Sequence, residues 1–466
     1  MQVDQTHANF PLPTSKPFSL RRRVWRRLGK LLRRLFHWLF ITATILLSIG
    51  LLGPQYYTPQ EKTNMAIGQI TRGHLFNLVG WESSSIERKI EAFFQRPAAE
   101  LSAAEAAALV RAYMERAQQV GQLEQTLVAQ LALKSQANSD AAPANRADQP
   151  PAEPLDIDAL QAELDALRAQ QNAERPTVEA IIQQQVAGEL ANAGFRFGGE
   201  PFPPVLFAFT EPPKKLIVSP RDRIATEYWR MLDADTSLQT VETAEDSIYD
   251  QLDLSAYITN IGGLGAFPTM VVDQASLGWV LSTVAHEWTH NYLSLFPLGL
   301  NYATSADLTT INESVAEIVG NEIGQLALER YYPDLVPPPP SKADLIIREM
   351  LGQYGAPRFD FRNEMRETRL EVDRLLAAGQ VAQAERYMEQ RRQLFVENGY
   401  PIRKLNQAYF AFHGSYGTSA ASSSPIGPQL DDLRAAMPDL QTFVHTVRWF
   451  TSAAELNDAA AKWEKQ

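Results

Sequence analysis

The sequence predicts a mainly α-helical protein with a small β-sheet, an α+β fold carried behind one membrane-spanning helix. Three observations predict it. Apolar residues recur at helical spacing over long stretches rich in Ala, Leu, Glu and Gln. Short apolar runs bounded by prolines, a signature of strands, first appear after residue 198. An apolar segment without a charge follows a strongly basic N terminus. The 466 residues can bury a core sufficient for two or three domains, and fractions of 45% hydrophobic and 21% charged residues are ordinary for a globular protein.

Residues 1–34 hold nine Lys or Arg against the single acid Asp4, and prolines 11, 13 and 17 among polar residues mark a disordered, basic cytoplasmic tail. Taking these charges from the chain's 43 basic and 54 acidic residues leaves 34 and 53, a net charge of −19 after Arg34. So acidic a body makes nucleic acid a poor partner. From Leu35 to Gly53 the 19 residues LFHWLFITATILLSIGLLG carry no charge. At a rise of about 1.5 Å per residue they span roughly 28 Å, close to the hydrocarbon thickness of a bilayer. His37 and Trp38 fall at one interface, Tyr56 and Tyr57 at the other. The basic flank predicts a single-pass cell-membrane protein with residues 54–466 extracytoplasmic. A cleaved signal peptide competes, but the segment is longer than a usual signal core and Ser48-Ile49-Gly50 is a weak cleavage site.

Residues 54–197 are expected to form a juxtamembrane and helical region. Pro54 to Ser85 has no clear pattern, whereas Leu101 to Leu133 reads as one long helix. A flexible linker over 135–154 contains no hydrophobic residue larger than Ala. Helical composition resumes from Leu155 to Ala193, with Pro176 as a kink or restart. Two long helices around a loop predict an antiparallel hairpin. It is either a stalk that binds a partner or a second copy, or a helical layer packed on the C-terminal domain.

Residues 198–466 are expected to form that main domain. Val205–Thr210 and Lys215–Val218 read as strands, Ile224–Leu232 and Gln239–Leu252 as helices. Ile261–Val272 is a Gly-rich entry into a strand, whose Pro268 fits a sheet edge, a bulge or the position before the strand proper. Helices follow at about Ala275–Phe296 and Leu308–Tyr331, then Lys342–Gly352 after the prolines 337–340. A charged helix pair over Phe361–Asn398 turns at Ala377-Ala378-Gly379-Gln380 and is most simply a solvated surface feature.

Chemistry concentrates at Val284-Ala285-His286-Glu287-Trp288-Thr289-His290. Histidines four apart on a helix stand one turn above each other, so both imidazoles can reach one metal ion. Glu287 beside them can take a proton from attacking water. The chain has no cysteine, so further ligands must be His, Asp or Glu. Asn312-Glu313-Ser314-Val315-Ala316-Glu317 places two carboxylates at i and i+4. Glu313 would complete a His₂Glu zinc site, and Glu317 would accept a hydrogen bond from a ligand histidine. A class with a third histidine is excluded, because Leu293 and Phe296 stand where it needs Gly and His.

HEWTH followed by NESVAE resembles the gluzincin (thermolysin-like) zinc metallopeptidases over about residues 262–325. The resemblance implies a zincin-like catalytic domain with His286, His290 and Glu313 as Zn²⁺ ligands, Glu287 as acid/base and Glu317 behind the ligands. The gap between His290 and Glu313 is a few residues longer than is usual in the family, and the loop Pro297–Asp307 takes up the excess.

An oxyanion formed during acyl transfer needs a donor. Leu405 to Gly417 offers Tyr416 first, then His413 and Tyr409, and the family commonly uses a downstream Tyr or His for this task. Tyr409, Phe410 and Phe412 also read as core. The run from Gly263 to Val272 is a candidate edge strand for pairing with extended peptide, with Gly265, Ala266 and Phe267 against the substrate. Aminopeptidases of the family carry a Glu there that binds the free amine. Its absence favours an endopeptidase, unless Asp273 substitutes. The expected function is therefore zinc-dependent hydrolysis of peptide bonds at a membrane. The competing expectations are a membrane-tethered scaffold with a structural or inactive metal site, and a zinc hydrolase of non-peptide amides.

Overall fold

The computed structural model describes residues 37–44, 57–95, 101–137, 156–338, 341 and 359–463. The chain divides into two compact units, Met1–Met65 and Ala66–Gln466. In the first, residues 37–44 are helical, with Trp38, Leu39 and Phe40 exposed. Among the described residues no helix is long and apolar enough to cross a membrane. Most of the predicted spanning segment 35–53, the tail 1–34, most of the linker 135–154 and the predicted helix Lys342–Gly352 lie outside the described residues.

The expected α+β composition holds: helices dominate, with two three-stranded sheets. The stretch that the sequence left unclassified contains helix α1 (Pro59–Ile70) and the first part of α2 (Leu78–Gln95). Helices α3 (Ala103–Ala137) and α4 (Ile157–Asn192) form the predicted long pair, and Pro176 lies inside an uninterrupted α4. Salt bridges Arg116–Glu174 at 2.6 Å and Arg168–Glu124 at 2.8 Å link the two helices.

The pair is a packed layer and not a stalk. Val110, Tyr113 and Met114 of α3 and Val178, Ile182, Val186 and Leu190 of α4 share one core with Val280, Leu281 and Val284 of the HEWTH helix. The expected boundary at 197/198 therefore falls inside one compact unit. At about 1.5–3 kcal/mol per buried aliphatic side chain, five such residues contribute on the order of the whole stability of a domain. A chain begun at residue 198 would lose them.

The first sheet places β2 (Lys214–Pro220) between β3 (Tyr228–Leu232) and β4 (Leu254–Asn260), antiparallel to both. Residues 228–232, predicted helical, pair as a strand because Tyr228 and Trp229 suit a pleated surface and β2 supplies ladder partners. Strand β4 went unpredicted. Helix α5 (Leu238–Leu252), capped by Ser237, covers one sheet face through Val241, Ala244 and Ile248 against Leu216, Val218, Ala256 and Ile258. Alternation turns Lys215 and Tyr257 to the other face, where α11 (Gln407–His413) will pack.

The second sheet has the order β1 (Phe207–Phe209), β6 (Thr269–Val271), β5 (Gly263–Leu264), with β1 parallel and β5 antiparallel to β6. The predicted single edge strand is thus a hairpin, of which β5 lies at an edge of the sheet and β6 at its centre. Pro268 stands before β6, as expected.

Helix α6 (Leu277–Leu293) carries HEWTH and begins at the Ser276 cap; α7 (Pro297–Leu300) leads to α8 (Ala306–Tyr331), capped by Ser305. Gly320 and Gly324 let α6 and α8 approach closely. A Cβ at Gly320 would lie 2.8 Å from the Ser282 carbonyl oxygen and 3.0 Å from His286 Cβ. Gly320→Ala gains about 1 kcal/mol of helix propensity but forces two helices apart, at about 1–3 kcal/mol. We expect net destabilisation in urea titrations and weaker metal retention.

Helices α9 (Phe361–Ala377) and α10 (Val381–Glu397) form the predicted charged pair, yet one face is core. Met365, Val372, Leu375, Met388 and Phe395 pack with Tyr409 and Phe410 of α11. Helices α12 (Ile426–Ala436), α13 (Leu440–Val447) and α14 (Ala454–Trp463) close the main core.

Candidate metal centre

Helical geometry stacks His286 and His290, and their Nε2 atoms lie 3.1 Å apart. Each is 3.6 Å from Glu313 Oε2 on the facing helix α8. For metal–ligand bonds of about 2.0–2.1 Å, tetrahedral geometry requires ligand atoms roughly 3.3 Å apart. The triangle fits. Glu313 is buried, and its Oε2 has no hydrogen-bond partner. A buried, unsatisfied carboxylate oxygen is costly unless a cation engages it. The group His286, His290 and Glu313 can therefore hold a metal ion, as the sequence predicted.

The other oxygen of Glu313 accepts a hydrogen bond from the Tyr302 hydroxyl, leaving Oε2 as the single coordinating atom. Tyr302 went unpredicted. It comes from the long α6–α8 loop that the sequence treated as mere excess. His290 Nδ1 lies 2.8 Å from Asn312 Oδ1. Because an amide oxygen only accepts, Nδ1 carries the proton and Nε2 keeps its lone pair for metal. Asn312 stood in the quoted motif without a role.

Glu317 takes a different position from the expected one. Its carboxylate oxygens accept from the Thr418 hydroxyl at 2.6 and 2.7 Å, and no histidine hydrogen-bonds to it among the described residues. Ser314 Oγ accepts from Gly417 N–H at 3.1 Å. One face of α8 thus holds the loop that presents Tyr416. Residue spacing pointed Glu317 to the right helix face, but its partner depends on a loop a hundred residues away.

Burial pushes Glu287 up, with His286, His290 and Lys215 acting the other way. Burial would also raise Glu313, but the two histidines overcome it and hold the carboxyl well below the usual range. Burial works against charge on His290, and Glu313 reverses this to about 9. Glu313, then burial and Glu287, push the Tyr416 phenol well above its ordinary range, so it remains a proton donor. Tyr416 is the only one of the three oxyanion candidates on which Glu287 and Glu313 act.

His413 and Tyr409 lie elsewhere. His413 packs against Tyr257, Tyr409 and Phe412, with ring centroids at 5.9, 4.2 and 5.0 Å, and Tyr409 is buried core. Burial alone depresses His413 to about 4. The folded state therefore keeps it neutral while an unfolded chain, near 6.5, takes up the proton. Its contribution is fully present above pH 6.5 and is lost as pH falls toward 4. His413→Phe should flatten that part of the stability–pH curve measured by denaturant titration.

The β5–β6 hairpin crosses directly over Glu287. A Cβ at Gly263 would lie 2.4 Å from Glu287 Oε1, and one at Gly265 would lie 3.3 Å from His290 Cβ. A side chain at Gly263 would push the Glu287 carboxylate aside, and one at Gly265 would crowd His290. Ala266 and Phe267 are less available to substrate than expected. The Ala266 carbonyl accepts from Asn291 Nδ2 at 3.0 Å, and Phe267 N–H donates to Glu82 at 3.1 Å. Asp273 is likewise engaged, accepting from Tyr113 at 3.0 Å and Gln171 at 2.7 Å. Its role as an amine binder is not supported.

Comparison with protein-family models, curated proteins and solved structures returns no match.

Proposed function

We propose that this protein is a membrane-anchored zinc metallopeptidase of the gluzincin kind. The observation that carries the proposal is the convergence of His286, His290 and the orphaned Glu313 Oε2 with Glu287 alongside and Tyr416 near enough for both carboxylates to act on its phenol. Donors of two imidazoles and one carboxylate suit Zn²⁺, and three protein ligands leave a position for chemistry. Bound zinc would supply Lewis acidity, activating water and polarising a carbonyl.

The protein's own groups do the rest. Glu287, made more basic by burial, takes the proton of the attacking water and passes it to the leaving amine. Tyr416, kept protonated, donates to the oxygen on which negative charge develops. The β5 edge, continuing into Gly265, runs beside Glu287 and can pair with an extended peptide main chain. Endopeptidase action is favoured because Asp273 is committed to Tyr113 and Gln171. The apolar segment 35–53 behind its basic flank supports an anchor that leaves the catalytic unit outside the cytoplasm.

The test is metal analysis of the full chain in detergent, with digestion of a peptide library and a chelator control. One zinc per chain and cleavage abolished by chelation are expected. A protein without zinc, or proteolysis that survives chelation, overturns the proposal. Stoichiometric zinc without any hydrolysis points to the scaffold, and hydrolysis confined to non-peptide amides to the other enzyme class.

A further inference from the structure

Among the described residues, one cation near this site has no carboxylate of its own. Lys215 projects from β2, the central strand of the first sheet, on the face opposite the α5 core. Its ammonium is 5.5 Å from the centroid of Phe412, and the Phe412 ring meets Tyr416 edge-on at 6.2 Å. The Lys215 ammonium forms no ion pair or hydrogen bond among the described residues, although that of its neighbour Lys214 is tied to the Ala234 carbonyl. The side chain is half-buried. It is near enough to act on Glu287. The body of this acidic protein pairs many of its cations, as Arg403 and Lys404 do on the buried Glu245 at 2.7 and 2.9 Å. A half-buried ammonium on an aromatic wall, lacking a carboxylate of its own, has the features of an anion-recognition site.

We propose that Lys215 is a specificity residue that pairs with a carboxylate of the peptide substrate, one ring away from Tyr416. This rests on the metallopeptidase proposal for the catalytic groups. The carboxylate is either the C terminus of a short peptide or an Asp or Glu side chain of a longer one, since the chemistry is the same. Phe412 supplies the apolar floor beneath the ammonium and keeps its charge poorly solvated. A poorly solvated charge discriminates more strongly than an exposed one.

The experiment uses the full chain loaded with zinc. An alanine tetrapeptide is offered as free acid and as C-terminal amide, and an amidated, acetylated longer peptide is offered with Glu or Gln at successive positions. Expected is at least a tenfold preference in kcat/KM for one carboxylate series over its neutral counterpart. Lys215→Met should bring that ratio to about one, Lys215→Arg should keep it, and Lys215→Glu should invert it toward a Lys-containing peptide. Preference within the tetrapeptides identifies a terminal carboxylate, and preference within the longer series a side chain. Calorimetric binding of the same peptides to Glu287→Gln, alone and with Lys215→Met, reads recognition without turnover. It therefore separates failure here from failure of the hydrolase proposal. The inference is overturned if binding and kcat/KM show no preference for a carboxylate, or if Lys215→Met lowers every peptide equally.

Discussion

Glu287→Gln should keep the metal and lose the reaction. Glutamine preserves shape and hydrogen-bonding reach but cannot take a proton, and positioned acid/base groups contribute about 10²–10⁴-fold. We expect kcat to fall by that factor while zinc content and thermal midpoint stay close to those of the parent. Glu287 is not one of the three atoms that form the metal triangle, which rests on His286, His290 and Glu313. It is also buried beneath Gly263, where a bulkier side chain has no room. A scaffold with a structural metal would show no difference between parent and variant. Peptidase assays with metal quantified on the same samples decide the matter.

Loss of Glu313 should remove the metal itself. Glu313→Ala leaves two imidazoles at the Nε2 separation of 3.1 Å and deletes the anionic member of the set. Altering groups behind a ligand already costs about 10–100-fold in affinity, so loss of the ligand should exceed that. Glu313→Gln keeps the volume and can still accept from Tyr302, isolating the contribution of charge. Metal that binds only the folded state stabilises it by about 2.7 kcal/mol at a hundredfold excess over Kd. Chelation should therefore lower the melting temperature of the parent protein and barely move that of Glu313→Ala. Equal chelator shifts in both would place the metal elsewhere.

The site was largely legible because its chemistry is local. His286, Glu287 and His290 lie within one turn of a helix, and Glu313 is marked by a short motif on the next long helix. What escaped came from loops or from distant strands. Tyr302 reaches Glu313 from an irregular segment, and residue type alone does not say where a tyrosine in a loop points. Glu317 was placed on the correct helix but given the wrong partner, since Thr418 approaches only when the chain returns a hundred residues later. His413 and Tyr416 are three residues apart, and nothing in their spacing distinguishes the packed ring from the one beside the carboxylates.

The fold divides along similar lines. Helices α3, α4, α6 and α8 follow from long periodic patterns, and Ser276 and Ser305 mark the starts of the last two. Tyr228–Leu232 reads as helix in isolation but becomes strand because β2 needs a partner. The long helical pair could have been a stalk or a layer on composition alone. Its apolar face became part of the central core only where Val280 and Val284 met it.

By itself, the sequence determined the helical content, the acidic body behind a basic apolar N terminus, and the grouping of His286, His290 and Glu313 with Glu287 beside them. These are set by periodicity, composition and spacing within a turn or two of helix, where backbone geometry fixes what neighbours what. Tertiary structure decided that Asn312 and Tyr302 hydrogen-bond His290 and Glu313, that Ser314 and Glu317 hold Gly417 and Thr418 beside Tyr416, and that glycines 263 and 265 carry the edge hairpin across Glu287. Each of these depends on side chains from separate elements meeting in space, and packing, not local propensity, determines which of them meet.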